Sequence, residues 1–126
     1  MLTTELLNSR VDHPGYQCDN TEWAVHMCKL VDSPNVKLLY DIYHMQIMEG
    51  DLAIKLKRYA PQCGHIQIAG VPERHEPDTG EVRYEYIFQL LDDIGYDGWI
   101  GCEYRPAKAT VAGLGWFRPY AAAAGS

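Results

Sequence analysis

Four oxygen-bearing side chains stand at the ends of short apolar runs in this sequence. The clearest is Asp41, which ends the run 36–40 and is followed three residues later by His44. Similar endings recur about every 30 residues, the length of one βα unit. The four residues are Glu5, Asp41, Gln67 and Glu103. Because α/β proteins place their chemistry at the carboxyl ends of parallel strands, these residues form the candidate site.

The donor set of this candidate site predicts a metal ion. Three carboxylates that meet in one place repel one another unless a cation lies between them. An all-oxygen set with one neutral amide suits Mg²⁺ or Mn²⁺ better than zinc, which favours nitrogen and sulfur. Taken singly, Glu5 or Asp41 is better explained as a helix cap or a solvated strand end. Four such residues at one position in successive strands favour the metal site.

Two further side chains are candidates for orienting a substrate. His44 lies on the segment that leaves the second strand, where its ring could hydrogen-bond a substrate oxygen. The alternative is a histidine satisfied by the nearby main chain. Arg74, in a long polar loop, offers a planar fork suited to a carboxylate, although an ordinary surface arginine is the alternative. Spacing alone leaves both choices open.

Periodicity places the candidate site on a parallel sheet. The predicted strands are 2–6, 36–41, 65–69 and 99–103. Helical spacing of apolar residues predicts a first helix capped by Asp19, a second from 50 to 60, a third from 84 to 94 and a last one from 111 to 120. Alternation of strands and helices implies parallel strands joined by right-handed crossovers.

The predicted connections differ in length at the two edges of the sheet. Helix-to-strand connections are short, whereas the strand-to-helix segments 9–17, 42–50 and 70–83 are long. This asymmetry is typical of (β/α) barrel enzymes. A complete barrel needs roughly 250 residues, so 126 residues suffice for about four βα units. The predicted fold class is therefore α/β, of the TIM-barrel type, as a half barrel of parallel strands.

Composition argues against several classes of function. The net charge of −6 disfavours nucleic-acid binding, which needs a basic surface. No run approaches the roughly 18 uncharged apolar residues of a membrane span. Four cysteines without zinc-ligand spacing predict reduced thiols in a cytoplasmic protein. The low-complexity end, 121–126, is expected to be a disordered tail or a cloning remnant, outside the predicted domain 1–120.

Four sequence motifs resemble one enzyme family. They are DIYHMQIMEGDL (41–52), GHIQIAGVPERHEPDTGE (64–81), YDGWIGCEYRP (96–106) and GLGWF (113–117). Over residues 2–120 the chain resembles the hydroxypyruvate isomerases, within the xylose-isomerase-like TIM-barrel superfamily. The 2-oxotetronate isomerases share much of this pattern, so they are the alternative for the exact substrate.

The resemblance implies a metal-dependent aldose–ketose isomerisation, that of hydroxypyruvate to 2-hydroxy-3-oxopropanoate (tartronate semialdehyde). The family's ligands for Mg²⁺ or Mn²⁺ fall on the four residues already identified, Glu5, Asp41, Gln67 and Glu103. Glu5 and Glu103 would be the catalytic pair that takes and returns a proton through an enediolate. The two orienting residues would contact the oxygens and the carboxylate of this small hydroxy-keto acid.

The chain departs from the family in one respect. The family barrel has eight strands, whereas the resemblance places this chain on the last four. The first-half walls of the pocket are then missing, and two strand edges are exposed. Two further hypotheses follow: a catalytically incompetent fragment, or a half barrel that self-associates through its edges. A sugar epimerase is another alternative, disfavoured by Gln67 because a histidine is usual there in ketose epimerases.

Overall fold

The computed structural model describes residues 1–124, with side chains to residue 121, and contains a single four-stranded sheet within that range. The strands are β1 (Leu2–Glu5), β2 (Val36–Asp41), β3 (Cys63–Ile68) and β4 (Ile100–Cys102). All neighbours pair in parallel, in the order β1-β2-β3-β4. The parallel α/β half barrel expected from the sequence is confirmed, although β4 is shorter than predicted.

Helices follow each strand. They are α1 (Thr21–Val31), α2 (Ile42–Met48), α3 (Leu52–Tyr59), α4 (Tyr84–Asp93) and α5 (Arg118–Ala124), with 3₁₀ turns at Ala60–Gln62 and Ala112–Phe117. Within residues 1–124, no helix has the length and apolar character needed to span a membrane. Helix α5 includes the first four residues of the predicted tail, whereas 125–126 lie outside the described residues. The domain boundary at residue 120 stays a prediction.

The core lies on the face of the sheet that the helices cover. Alternate residues of a strand point to opposite faces, and the covered face carries side chains that are at most 2% exposed. These strand residues are Leu38, Tyr40, Ile66 and Ile68. The helices add Ala24, Val25 and Cys28 from α1, Leu52 and Leu56 from α3, and Ile87, Leu90 and Leu91 from α4. Because burial of this apolar surface fixes the covered face, it also fixes which residues of each strand point to the opposite, open face of the sheet.

The register of the strands places the candidate residues on one face and at one edge. Asp41 lies opposite Gln67, and Gln67 lies opposite Gly101. Glu103 is two residues beyond Gly101, so it points to the same face. Glu5 pairs with the residue two positions before Asp41. Because residues two apart in a strand point to the same face, Glu5 and Asp41 share a face. All four therefore lie on the face that the helices leave open, at the carboxyl ends of the strands.

Two local predictions are wrong, and side-chain capping explains both. Residues 42–50, predicted as a loop, contain α2, because Asp41 accepts a hydrogen bond from the His44 N–H at 3.0 Å and caps the helix. Helix α1 is capped by Asn20 rather than by Asp19. The Asn20 side-chain oxygen accepts from the Trp23 N–H at 2.9 Å. One side-chain oxygen before the first turn thus decides where each helix begins.

The carboxyl end of β3 is tied to α4 by one side chain. The Tyr84 hydroxyl donates to the Ala69 carbonyl oxygen at 2.7 Å and accepts from the Ala69 N–H at 3.2 Å. Both residues are buried. Because Ala69 lies two residues after Gln67, these bonds hold the strand end that carries a candidate site residue.

Replacing Tyr84 with phenylalanine should lower the free energy of unfolding by about 1–3 kcal/mol, because the buried Ala69 N–H and carbonyl lose their partner. Urea unfolding of Tyr84→Phe beside Tyr86→Phe measures this, since Tyr86 undergoes the same chemical change at a half-exposed position of α4. The Tyr86 variant should stay within about 0.5 kcal/mol of the native protein. Equal losses in the two variants would contradict the role given to Tyr84.

Candidate active site

The Gln67 amide lies between the three candidate carboxylates. Glu5 ends β1, Asp41 ends β2 and Glu103 directly follows β4. With its NH₂ group turned towards them, the amide nitrogen of Gln67 is 3.2 Å from Glu5 Oε1, 3.2 Å from Asp41 Oδ2 and 3.2 Å from Glu103 Oε2. The structure therefore brings together all four residues that the strand-end pattern singled out.

These four residues fit a divalent cation. Rotating the Gln67 amide by half a turn puts its carbonyl oxygen where the nitrogen stood, 3.2 Å from one oxygen of each of the three carboxylates. Mg²⁺ binds oxygen at about 2.0–2.1 Å in an octahedron, which sets neighbouring ligands ~3 Å apart. The 3.2 Å separations around Gln67 are close to that spacing. The donor types and these separations are compatible with a divalent ion.

Asp41 uses its two carboxylate oxygens differently. Oδ1 caps α2 by accepting from the His44 N–H at 3.0 Å, whereas Oδ2 faces the Gln67 amide. The helix cap is confirmed for one oxygen of Asp41, and the other oxygen is free to serve the predicted site. Because the cap fixes the rotation of the carboxylate, Oδ2 is aimed at the site.

Burial and like charges disfavour ionised carboxylates at this site. Asp41 is 1% exposed, and burial, reinforced by the charges of Glu5 and Glu103, raises its pKa to about 7. The charge of Arg74 acts in the opposite direction without outweighing burial. Burial, together with the charge of Glu103, also raises the pKa of Glu5. Since a bound cation would favour the ionised forms, cations and protons should compete for these oxygens.

His44 is fully buried beside the carboxylates. One of its ring nitrogens and an oxygen from each of Glu5 and Asp41 lie within 4.8 Å of one another, so these residues form a second candidate metal set. His44 Nδ1 receives a hydrogen bond from the Asn8 main-chain N–H at 3.0 Å. Nε2 is buried and has no hydrogen-bond partner in the described part of the chain. Burial and the charge of Arg74 lower the pKa of His44 to about 4, so its ring is neutral at pH 7.

Arg74 reaches the same edge from the segment between β3 and α4. Its Nη2 lies 3.2 Å from Glu103 Oε2, and its guanidinium carbon lies 4.7 Å from the centre of the Tyr43 ring. The Arg74 side chain is only 16% exposed, which excludes an ordinary surface arginine. Because the face of the Tyr43 ring attracts the cation, the guanidinium is held beside the carboxylates, where it can bind an anionic group.

Sequence reasoning missed the residues that hold these two side chains. Asp12 Oδ2 accepts hydrogen bonds from Asn8 Nδ2 at 2.7 Å and from the Tyr43 hydroxyl at 2.9 Å. Asn8 in turn contacts His44, and the Tyr43 ring lies under Arg74. One signal could have revealed Asn8, because it stands three residues after a strand-end carboxylate, at the same spacing as the histidine.

The chain belongs to the xylose isomerase-like TIM barrel family, whose model matches residues 1–120. It is 57% identical over 116 residues to a 2-oxo-tetronate isomerase of Cupriavidus necator, covering 92% of this chain and 44% of that protein. It is 44% identical over 120 residues to a hydroxypyruvate isomerase of Escherichia coli K12, covering 95% of this chain and 46% of that protein. The chain therefore spans less than half the length of these relatives.

One solved structure shows the same architecture. The crystal structure described as AP endonuclease, family 2, from Brucella melitensis superposes with a TM-score of 0.91 at 47% sequence identity. The match covers 94% of this chain and 45% of that one. The four parallel strands described above thus correspond to about half of a larger chain of the same fold.

Without added metal, Asp41→Asn should stabilise the protein at pH 8. Folding raises the pKa of Asp41 from 3.8 to about 7, so its ionised carboxylate makes the folded state less stable as the pH rises through that interval. Asparagine keeps the capping oxygen for α2 but carries no charge. Urea unfolding in EDTA should show a gain of about 4 kcal/mol at pH 8, since each unit of pKa shift is worth about 1.4 kcal/mol, and this gain should largely disappear at pH 4.

The matched control is Asp97→Asn, the same change at an exposed loop residue, which should stay within about 0.5 kcal/mol of the native protein. A loss of stability in Asp41→Asn at pH 8, or an equal gain at both pH values, would contradict the electrostatic explanation.

Proposed function

We propose that this chain carries the catalytic site of a hydroxypyruvate isomerase, which interconverts hydroxypyruvate and 2-hydroxy-3-oxopropanoate. The observation that supports this most is the meeting of Glu5, Asp41, Gln67 and Glu103 within 3.2 Å contacts at the strand ends. The 2-oxo-tetronate isomerase and the hydroxypyruvate isomerase to which the chain is similar support the same reaction class. The proposal concerns the whole enzyme, of which this chain matches less than half.

The four oxygen donors would hold Mg²⁺ or Mn²⁺, because both ions prefer oxygen ligands whereas zinc prefers nitrogen and sulfur. When bound, such an ion polarises carbonyl and hydroxyl oxygens of the substrate, which favours the enediolate. Side chains of this chain would move the protons and orient the substrate.

Glu5 and Glu103 would move the protons between the two carbon atoms. One glutamate removes a proton from the hydroxymethyl carbon of hydroxypyruvate, and the other returns a proton to the neighbouring carbon. The terminal hydroxyl loses its proton to become the aldehyde oxygen, while the former ketone oxygen gains one. Burial and the charge of Glu103 raise the pKa of Glu5, and this direction favours the uptake of a proton by its carboxylate.

His44 and Arg74 would orient the substrate. The guanidinium of Arg74 rests on the Tyr43 ring beside Glu103, so its planar fork can receive the substrate carboxylate. The buried ring nitrogen of His44 can hydrogen-bond a substrate oxygen at the carboxylate cluster. A three-carbon acid would then be fixed at its charged end and at one oxygen near the reacting carbons.

Three other functions are the alternatives to a hydroxypyruvate isomerase. The 57% identity to a 2-oxo-tetronate isomerase favours a four-carbon acid that undergoes the same proton transfer. A sugar epimerase is less well supported, because Gln67 stands where a histidine is usual in ketose epimerases. A fragment without turnover is supported by the open face of the sheet, on which the Glu103 side chain is 53% exposed to water.

Turnover of hydroxypyruvate with Mn²⁺ tests the proton-transfer assignment. Glu103→Gln should lower kcat by about 10²–10⁴-fold, the usual effect of losing a general acid–base group. Glu85→Gln, the same change on the exposed side of α4, should leave kcat unchanged. Undiminished activity in Glu103→Gln would remove Glu103 from the catalytic pair.

The same assay distinguishes the alternatives. A higher kcat/KM with 2-oxotetronate than with hydroxypyruvate would favour the four-carbon substrate. No turnover of either acid by a chain that binds Mn²⁺ would favour the inactive fragment.

A cytoplasmic location also belongs to the proposal. All four cysteines are free thiols within the described residues, and three of them are buried. Burial raises the pKa of Cys63 to about 12, so this thiol stays protonated and unreactive. Unpaired cysteines of this kind are typical of proteins that work in a reducing compartment.

Self-association with a second copy would cover the open edges of the sheet. Among the described strands, β1 pairs with β2 alone and β4 with β3 alone. The N–H groups of Leu2 and Leu6 bond towards β2, so by alternation the Thr3 N–H points to the open edge. Unpaired N–H and carbonyl groups along an edge are a template for another strand.

Sedimentation velocity tests this pairing. The native chain should sediment as a dimer or larger species, and Thr3→Pro should be monomeric, because proline removes the donor at the open edge and leaves the ladder to β2 intact. Thr3→Ala, which keeps the N–H, should still associate. A native chain that sediments only as a monomer would contradict self-association.

A further inference from the structure

A buried asparagine sets the hydrogen-bonding state of the histidine at the candidate site. Asn8 is fully buried in the segment that follows β1. Its main-chain N–H donates to His44 Nδ1 at 3.0 Å, and its side-chain Nδ2 lies 2.7 Å from the same ring nitrogen. Two nitrogen atoms that carry hydrogen therefore converge on His44 Nδ1.

The orientation of the Asn8 amide is fixed by its other partners. Its Oδ1 accepts hydrogen bonds from the main-chain N–H groups of Val11 at 3.0 Å and Asp12 at 2.9 Å. Because a main-chain nitrogen can only donate, the amide oxygen must face these two groups. Nδ2 then faces His44, and it also donates to Asp12 Oδ2 at 2.7 Å. In the opposite orientation the Asn8 NH₂ group would face the main-chain N–H groups of Val11 and Asp12, and no hydrogen bond could form.

The tautomer of His44 follows from these contacts. Nδ1 lies between two donors, so it must accept with its lone pair and cannot carry a proton. The single proton of the neutral ring is then on Nε2. Nε2 is buried without a hydrogen-bond partner among the described residues, an arrangement that costs free energy unless a ligand accepts from it.

We propose that Asn8 is a positioning residue that holds His44 as an Nε2–H donor towards the substrate and keeps it out of the metal coordination set. The identity of the acceptor, an oxygen of a hydroxy-keto acid, rests on the proposed function. A nitrogen that carries a proton has no lone pair for a metal ion. The proposal therefore removes His44 from the set with Glu5 and Asp41, and leaves the four oxygen donors.

Nitrogen-15 NMR of the histidine side chains at pH 8 tests the tautomer directly. The His44 signals are assigned by their loss in His44→Gln. The native protein should carry a proton on Nε2 and none on Nδ1, before and after addition of Mg²⁺. A proton on Nδ1, or loss of the Nε2 proton when Mg²⁺ is added, would overturn the proposal.

The variant Asn8→Asp tests the side chain of Asn8. Aspartate has the same shape and keeps an oxygen for the Val11 and Asp12 N–H groups, but it replaces the Nδ2 donor with a carboxylate oxygen. The new carboxylate oxygen favours a proton on His44 Nδ1, whereas the main-chain N–H of residue 8 still opposes it, so part of the His44 population should carry its proton on Nδ1. The KM for hydroxypyruvate should then rise by up to about tenfold, the effect of one lost hydrogen bond, with a smaller change in kcat. Asn20→Asp, the same change at the cap of α1, should alter neither.

An unchanged tautomer in Asn8→Asp would overturn the role of the side chain. The native spectrum gives an answer even if this variant does not fold. A native chain with the Nε2–H tautomer but no isomerase turnover would count against the proposed function, whereas turnover with the proton on Nδ1 would count against the role of Asn8.

Discussion

Electrostatic repulsion between three carboxylates at neighbouring strand ends is the constraint on which the rest of this structure depends. Parallel pairing of the strands places Glu5, Asp41 and Glu103 within contact distance of the single amide of Gln67. Burial raises the pKa of Asp41 to about 7, so without a cation this carboxylate holds its proton to near neutrality. A proton or a cation must balance the charge, and four oxygen donors at this spacing suit a divalent ion. The proposed chemistry of the site and its expected pH dependence both rest on this competition.

The elements that stabilise the fold also aim the site residues. Asp41 caps α2 with one oxygen and faces the site with the other, so the start of this helix and the direction of a site oxygen depend on one side chain. Asp12 accepts hydrogen bonds from both Asn8 and Tyr43. It thereby links the residue that contacts His44 to the ring that lies under the Arg74 guanidinium. These contacts hold the orienting groups in fixed positions at the candidate site.

The strand ends were predictable because burial of one face of each strand requires a short apolar run, and a carboxylate or amide at the end of that run is conspicuous. Helix α2 was not predictable from periodicity, because its seven residues are too few to establish a pattern and one hydrogen bond from Asp41 starts it. Asn8 was missed for another reason. It contacts His44 across 36 residues of sequence, and only the pairing of β1 with β2 brings these two residues together.

The central claim, that four strand ends share one cation, is tested most directly by crystals soaked in Mn²⁺ and measured at a wavelength where manganese scatters anomalously. The account predicts a single strong anomalous peak per chain at the strand ends, bound by one oxygen from each of Glu5, Asp41, Gln67 and Glu103, with no nitrogen of His44 as a ligand. No peak at the strand ends, or a peak bound by His44 with Gln67 and Glu103 turned away, would contradict it.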